Sequence, residues 1–156
     1  PEAIAAIAPD AVICALGTTM RIAGSREAFK RVDYEYPLAV ARLARRHGTP
    51  VYVLNSPMGP DPSSRIFYSR VKGEVERDLT RLNFPSLTIA RPGFIGGRRD
   101  EFRLGERVML AALSTFGFML PIRWRVNPAT TIARAMIDAA VRAEPGLHIV
   151  KSYSLV

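Results

Sequence analysis

Short, mostly apolar runs separated by segments of helical spacing constrain this chain more than any other feature. They are Ala11–Leu16, Val51–Leu54, Leu87–Ala90 and Leu147–Val150. Strands buried on both faces read as near-continuous apolar runs, and that pattern belongs to parallel sheets covered by helices. Between the runs, Phe29, Val32, Tyr36, Val40, Leu43 and Ala44 recur near helical spacing. A second helical segment carries Tyr68 and runs to about Leu82, and a third is the amphipathic Pro128–Glu144. Alternating strands and helices with right-handed crossovers predict an α/β fold with a doubly wound parallel sheet.

Punctuation residues mark the boundaries. Ser25 is suited to cap the first long helix, although Ala28 stands where a capping box would need an acid. Pro37 should kink or break that helix, and His47-Gly48 should end it. Ser63 or Ser64 is expected to cap the Tyr68 helix, and Asn83-Phe84-Pro85 to stop it. The loop from Pro57 to Pro62 is rich in Pro and Gly and lies directly after Ser56. It reads either as a cover for a ligand or as a connection. Residues 96–127 leave the strand–helix rhythm. Arg98, Arg99 and Arg103 there suit either an acidic substrate or a solvated loop.

The chemistry-bearing stretch is Leu54–Glu76. Ser56 follows the Val51–Leu54 strand, at the end of the sheet where open α/β folds bind ligands. Tyr68 and Lys72 are four residues apart and so share one helix face. A hydroxyl, a phenol and an ammonium can thus converge on one carbinol oxygen. A nearby ammonium favours the phenolate and is expected to bring the phenol closer to neutral pH. Tyr-x-x-x-Lys alone recurs by chance, and the alternative for Tyr68 is a core aromatic with a wet tip. The serine at the strand end favours the catalytic reading.

The order Ser56, Tyr68, Lys72 resembles the Ser…Tyr-x-x-x-Lys signature of short-chain dehydrogenases/reductases. More narrowly, the stretch is similar to the atypical, extended NAD(P)H-binding branch that includes the Tat-interacting oxidoreductase group. Ala11–Thr19, Phe29–Ala44 and Ala90–Glu106 fit that group in the same order, so the resemblance covers roughly residues 10–150. It implies a Rossmann-like fold and an NAD(P)-dependent oxidoreductase moving a hydride to or from a carbonyl or alcohol. Ser56, Tyr68 and Lys72 would be catalytic. Gly17, Thr18, Thr19, Tyr68, Lys72, Arg91, Pro92, Gly93, Phe94 and Ile95 would touch the cofactor, NADP or NAD with NADP the first choice. Asp33 falls near a family asparagine and is taken only as a support. The Gly17-Thr18-Thr19 turn also reads as an ordinary strand–helix connection.

One element of that family is not in the sequence. No glycine-rich turn joins a first strand to a first helix, where a backbone would cradle a pyrophosphate. The resemblance therefore implies that residues 1–156 are the C-terminal part of a single NAD(P)-binding domain, with substrate-side elements around 96–127. The first βαβ portion, roughly 50–60 residues, would precede Pro1. The strand Ala11–Leu16 should then have an open edge inviting self-association, and dinucleotide binding by these residues alone should be weak.

Composition narrows the alternatives. A chain of 156 residues with 48% hydrophobic residues supports a real core and argues against disorder. The formal charge of +8 comes mostly from arginines spread over helices, without interleaved aromatics, so no nucleic-acid partner is expected. No run is long and apolar enough for a membrane span. Neither the two histidines nor Cys14 has metal-ligand spacing. A single cysteine and no visible signal peptide lead to an expectation of a cytoplasmic protein, with a homo-oligomer allowed. Two other functions stand beside the oxidoreductase: an NAD(P)H-sensing protein that controls a protein partner, and a nucleotide-sugar epimerase or dehydratase.

Overall fold

The computed structural model describes residues 8–96 and 126–155. Its main sheet has four strands: β1 (Ala11–Cys14), β2 (Val51–Asn55), β3 (Ser86–Arg91) and β6 (Gly146–Lys151). They lie side by side in that order and are all parallel. A short parallel pair, β4 (Phe94–Gly96) and β5 (Val126–Pro128), stands apart from the main sheet. The helices are α1 (Met20–Ala23), α2 (Arg26–Lys30), α3 (Tyr36–Arg46), α4 (Phe67–Thr80) and α5 (Ala129–Arg142). The doubly wound parallel sheet expected from the apolar runs is present.

Side-chain alternation along the strands divides the core between the two faces. Tyr52 and Leu54 of β2 and Leu87 and Ile89 of β3 pack with Leu38, Ala41, Val75 and Leu79 from α3 and α4. Val51 and Val53 of β2 and Ala90 of β3 turn the other way, onto Ile132 and Met136 of α5 and onto Leu155. Both faces of β2 and β3 are therefore covered, so β2 is apolar from Val51 to Leu54 and the polar positions of β3, Ser86 and Thr88, are buried as well. The first strand is shorter than its apolar run. It ends at Cys14, while Ala15 and Leu16 leave the ladder. Among the described residues β1 pairs only with β2, and Ile13 is exposed.

The first long helix is interrupted as Pro37 requires, but by widening rather than breaking. Ser25 caps it by accepting from the Ala28 amide at 3.1 Å. Between α2 and α3, Arg31–Glu35 forms a π-turn, and α3 opens with Pro37 in its first turn. Proline cannot donate to the carbonyl four residues back, which is that of Asp33, and its ring crowds that carbonyl. A wider turn relieves both problems, and such turns often sit at functional sites. Asp33 lies within this turn and points inward, 1% exposed.

Helix α4 begins later than the serines suggest. Ser64 Oγ accepts from the Ile66 amide at 3.1 Å, but Ile66 is the residue before the first helical turn, so neither serine is the cap. Ser63 instead donates to Asp61 within the preceding loop. Tyr68 consequently stands in the first turn of α4. The loop is bound to that turn: the Asp61 amide donates to the Ser69 carbonyl at 3.1 Å, and Ser69 Oγ donates to the Gly59 carbonyl at 3.0 Å. Gly73 lets it lie so close. A Cβ there would be 2.1 Å from Pro62 N and 2.4 Å from the Asp61 carbonyl carbon.

Candidate active site

The C-terminal ends of β1, β2 and β3 open into one cleft of about 720 Å³. Three loops leave the sheet there, and the first turns of α4 close one side. Ser56, Tyr68 and Lys72 all line this cleft, together with Gly17, Thr18, Thr19, Pro92, Gly93 and Ile95. The sequence-predicted catalytic trio is thus brought to one volume, along with most of the residues assigned to the cofactor.

Ser56 is held by its backbone. Its amide donates to the Ala90 carbonyl at 2.8 Å, which extends the β2–β3 pairing one residue beyond the strand. The side chain is buried, and its hydroxyl has no hydrogen-bond partner among the described residues. The neighbouring Asn55 Oδ1 is likewise buried without a partner. Buried polar atoms in folded proteins are nearly always paired; Thr49 and Ser86 carry unpaired hydroxyls too, but of these four only Asn55 and Ser56 line the cleft, where a polar ligand or water can reach them.

Tyr68 is 40% exposed. Its ring leans on Phe29 of α2, with centroids 5.6 Å apart and planes tilted by 50°. It is neither a solvated surface tyrosine nor a core aromatic facing away from the strand ends. Lys72, one turn further along α4, does not stand free beside it. Its Nζ is 2.7 Å from Asp33 Oδ1, and both side chains are buried. Asp33 Oδ2 also accepts from the Thr18 amide at 2.9 Å. The carboxylate therefore ties the turn after β1 to the helix that carries Tyr68.

This arrangement corrects the expectation that Lys72 lowers the Tyr68 phenol. Burial pushes the phenol above its ordinary range, and the negative charge of Asp33 pushes it further the same way. The ammonium is matched by a carboxylate at contact distance, so its field at Tyr68 is largely cancelled.

Arg91 is also placed differently from its assignment. It does not line the cleft. Its guanidinium donates through Nε to Glu76 Oε1 at 3.3 Å and through Nη2 to Glu76 Oε2, joining β3 to α4. Phe94 opens β4, and its side chain lies outside the described residues, as do Arg98, Arg99, Arg103 and nearly all of the region 96–127.

Two polar residues emerge that sequence reasoning passed over or undervalued. Asp33 was only a support in the sequence, because it falls near a family asparagine; the structure makes it the partner of Lys72 and of the Thr18 amide. Asn127 is fully buried between β5 and the turn after β6. Its Oδ1 accepts from the Gly93 amide at 2.7 Å and from Ser152 Oγ at 2.8 Å, and its Nδ2 donates to the Ser152 carbonyl at 2.9 Å. It orients the Pro92–Gly93 wall of the cleft from 34 residues away in the chain. An isolated asparagine carries no signal for such a role.

No protein-family model matches the chain. Curated relatives do. A mitochondrial FMP52 protein of Coccidioides immitis is 36% identical over 142 residues, covering 89% of this chain and 58% of the relative. The HTATIP2 protein of Rattus norvegicus is 40% identical over 140 residues, covering 88% of this chain and 56% of the relative. The chain is a homologue of the FMP52 and HTATIP2 proteins. It spans a little over half the length of each.

Among solved structures, a dTDP-4-dehydrorhamnose reductase of Bacillus anthracis in complex with NADP superposes with a TM-score of 0.67 at 13% identity, over 96% of this chain and 58% of that one. The Bordetella bronchiseptica enzyme WbmH in complex with NAD+ superposes with a TM-score of 0.69 at 15% identity, over 97% and 55%. At such identities the likeness establishes the Rossmann-like fold.

The relatives also overturn the cytoplasmic expectation, because the FMP52 proteins are designated mitochondrial. A lone cysteine excludes an internal disulfide and says nothing finer about compartment. Among the described residues no helix is long and apolar enough to cross a membrane, and no group of His, Cys, Asp and Glu is placed to hold a metal ion.

Proposed function

We propose that these residues form the substrate and nicotinamide side of an NAD(P)-dependent oxidoreductase site of the short-chain dehydrogenase/reductase type. The observation that carries the reading is the buried, unpartnered Ser56 hydroxyl in the same cleft as Tyr68 and Lys72. The polar wall fits a nicotinamide nucleotide: Asn55 and Ser56 offer unpaired polar atoms. Beside them Gly17 brings bare backbone next to the Asp33–Lys72 pair. Gly17, Thr18, Lys72, Pro92 and Gly93 would hold the cofactor at its ribose and nicotinamide end. Bound there, it supplies or accepts a hydride.

The chain's own residues handle the oxygen. Ser56 donates a hydrogen bond to the carbonyl oxygen of the substrate and orients it. Tyr68 delivers a proton to that oxygen on reduction and removes it on oxidation. A phenol held above its ordinary range stays protonated near neutral pH but is a weaker acid, so proton delivery to the oxygen must be helped by the Ser56 hydrogen bond and by charge building on that oxygen. The pinned loop from Pro57 to Ser64 covers the Ser56 side.

The test uses the full-length protein with NADPH and a panel of aldehydes and ketones. Tyr68→Phe should lower kcat at least about 100-fold, the usual scale of a lost general acid, while NADPH affinity changes little. Ser56→Ala should lower kcat less. NADPH oxidation by Tyr68→Phe at the wild-type rate would defeat the catalytic assignment.

A second reading, an NAD(P)H-sensing protein acting on a protein partner, is favoured by one observation. The Lys72 charge is matched by Asp33 instead of activating Tyr68. Tight NADPH binding with no turnover across the panel would select it. The nucleotide-sugar alternative has only the fold likeness behind it.

A further inference from the structure

The Asp33–Lys72 pair is the one buried charge cluster in the cleft, among the described residues, that the proton-transfer scheme leaves unexplained. Burying two charges is costly, and a well-packed apolar pair often does as well for stability. This pair nevertheless sits beside the phenol, in the wall of an open cleft. Its carboxylate makes two contacts that converge from different elements: Lys72 Nζ of α4 at 2.7 Å and the Thr18 amide of the β1–α1 turn at 2.9 Å. A Cβ at Gly17 would stand 3.4 Å from Asp33 Oδ1 and 3.8 Å from Lys72 Nζ, so the turn runs directly against the pair.

We propose that Asp33 is a positioning residue of this site: it clamps Lys72 to the Gly17–Thr18 turn and cancels the ammonium charge that Tyr68 would otherwise feel. The inference rests on the oxidoreductase reading for its catalytic meaning, but its electrostatic content does not. Among the described residues, the groups that line the same cleft as Tyr68 can be named. Asp33 comes from the π-turn, Lys72 from α4 itself and Arg21 from α1, while the end of β2, the β3–β4 turn and β4 contribute the uncharged Asn55, Ser56, Pro92, Gly93 and Ile95. Phe29 of α2 adds only its ring. Deleting the carboxylate charge leaves cations as the only formal charges among these neighbours. The phenol must then titrate lower.

Asp33→Asn keeps the size of the side chain and an oxygen for the Thr18 amide, removes the charge, and replaces the acceptor facing Lys72 by an amide NH2. Tyr68 is read selectively in the full-length protein, as the difference in phenolate absorbance between each form and the same form carrying Tyr68→Phe. In Asp33→Asn the Tyr68 midpoint should fall by about one pH unit or more, the scale of an unmatched neighbouring charge. Lys72→Met should move it the opposite way, because Asp33 is then unmatched. A purely structural pair would leave the midpoint in place in both variants.

An unchanged midpoint in a folded Asp33→Asn protein overturns the proposal. Should Asp33→Asn not fold, the Lys72→Met midpoint decides alone: a rise supports the proposal, and no change or a fall overturns it. The titration needs no substrate, so it separates the two claims. A shifted midpoint with no turnover sinks the oxidoreductase reading and leaves the role of Asp33 standing. Turnover that depends on Tyr68 without a shifted midpoint does the reverse.

Discussion

Helix α4 carries two buried ionic side chains one turn apart, and they have different work. Lys72 reaches back to Asp33 at the cleft, while Glu76 reaches across to Arg91 on β3. Both pairs join α4 to another element, and both lie in low-dielectric surroundings. The Glu76 pair has an outlet to water, because the Arg91 side chain is 28% exposed. Neither Glu76 nor Arg91 lines the cleft. The Lys72 pair has a carboxylate 1% exposed, has Gly17 against it, and lines the same cleft as Tyr68. Chemistry alone does not tell a structural ion pair from a functional one. Position relative to the strand ends does.

That contrast can be broken most severely at Lys72. Lys72→Met strands the Asp33 carboxylate in the interior, and losing one partner of a buried pair typically costs about 3–5 kcal/mol. Chemical denaturation should show a loss on that scale, together with loss of NADPH binding. A variant as stable as wild type would mean that the carboxylate finds solvent or a proton easily.

Gly73 lies between the two pairs and tests whether they depend on one helix placement. Gly73→Ala drives a methyl group into the backbone of Asp61 and Pro62. Overpacking of this kind costs about 1–3 kcal/mol. The thermal midpoint should drop, and protease should cut the loop from Pro57 to Ser64 faster, because its seat on α4 is lost. A crystal structure of the variant with that loop unmoved would contradict this account.

The smallest effect should come from Glu76→Gln. Arg91 can turn to water, so about 1–2 kcal/mol of stability is expected to go. NADPH affinity and the Tyr68 titration should remain at wild-type values. A fall in cofactor affinity comparable to that of Lys72→Met would erase the distinction between the two pairs.

Much of this protein was determined by local sequence. Runs such as Val51–Leu54 must be buried on both faces, and the helical segments between them force parallel crossovers. The strand positions follow from burial and the alternation of elements. The Tyr68–Lys72 spacing follows from the helix repeat, and Ser56 falls at the strand end because the apolar run stops just before it. Tertiary structure alone decided which charges meet. Asp33 became part of the site because its carboxylate meets Lys72 of α4 and the Thr18 amide of the turn after β1. Arg91 was drawn away from the cleft by Glu76, and Asn127 came to orient Gly93 through a contact between distant strands. Apolar burial and helical periodicity are properties of a few neighbouring residues. Pairing of buried charges depends on which side chains the finished fold brings within hydrogen-bond reach.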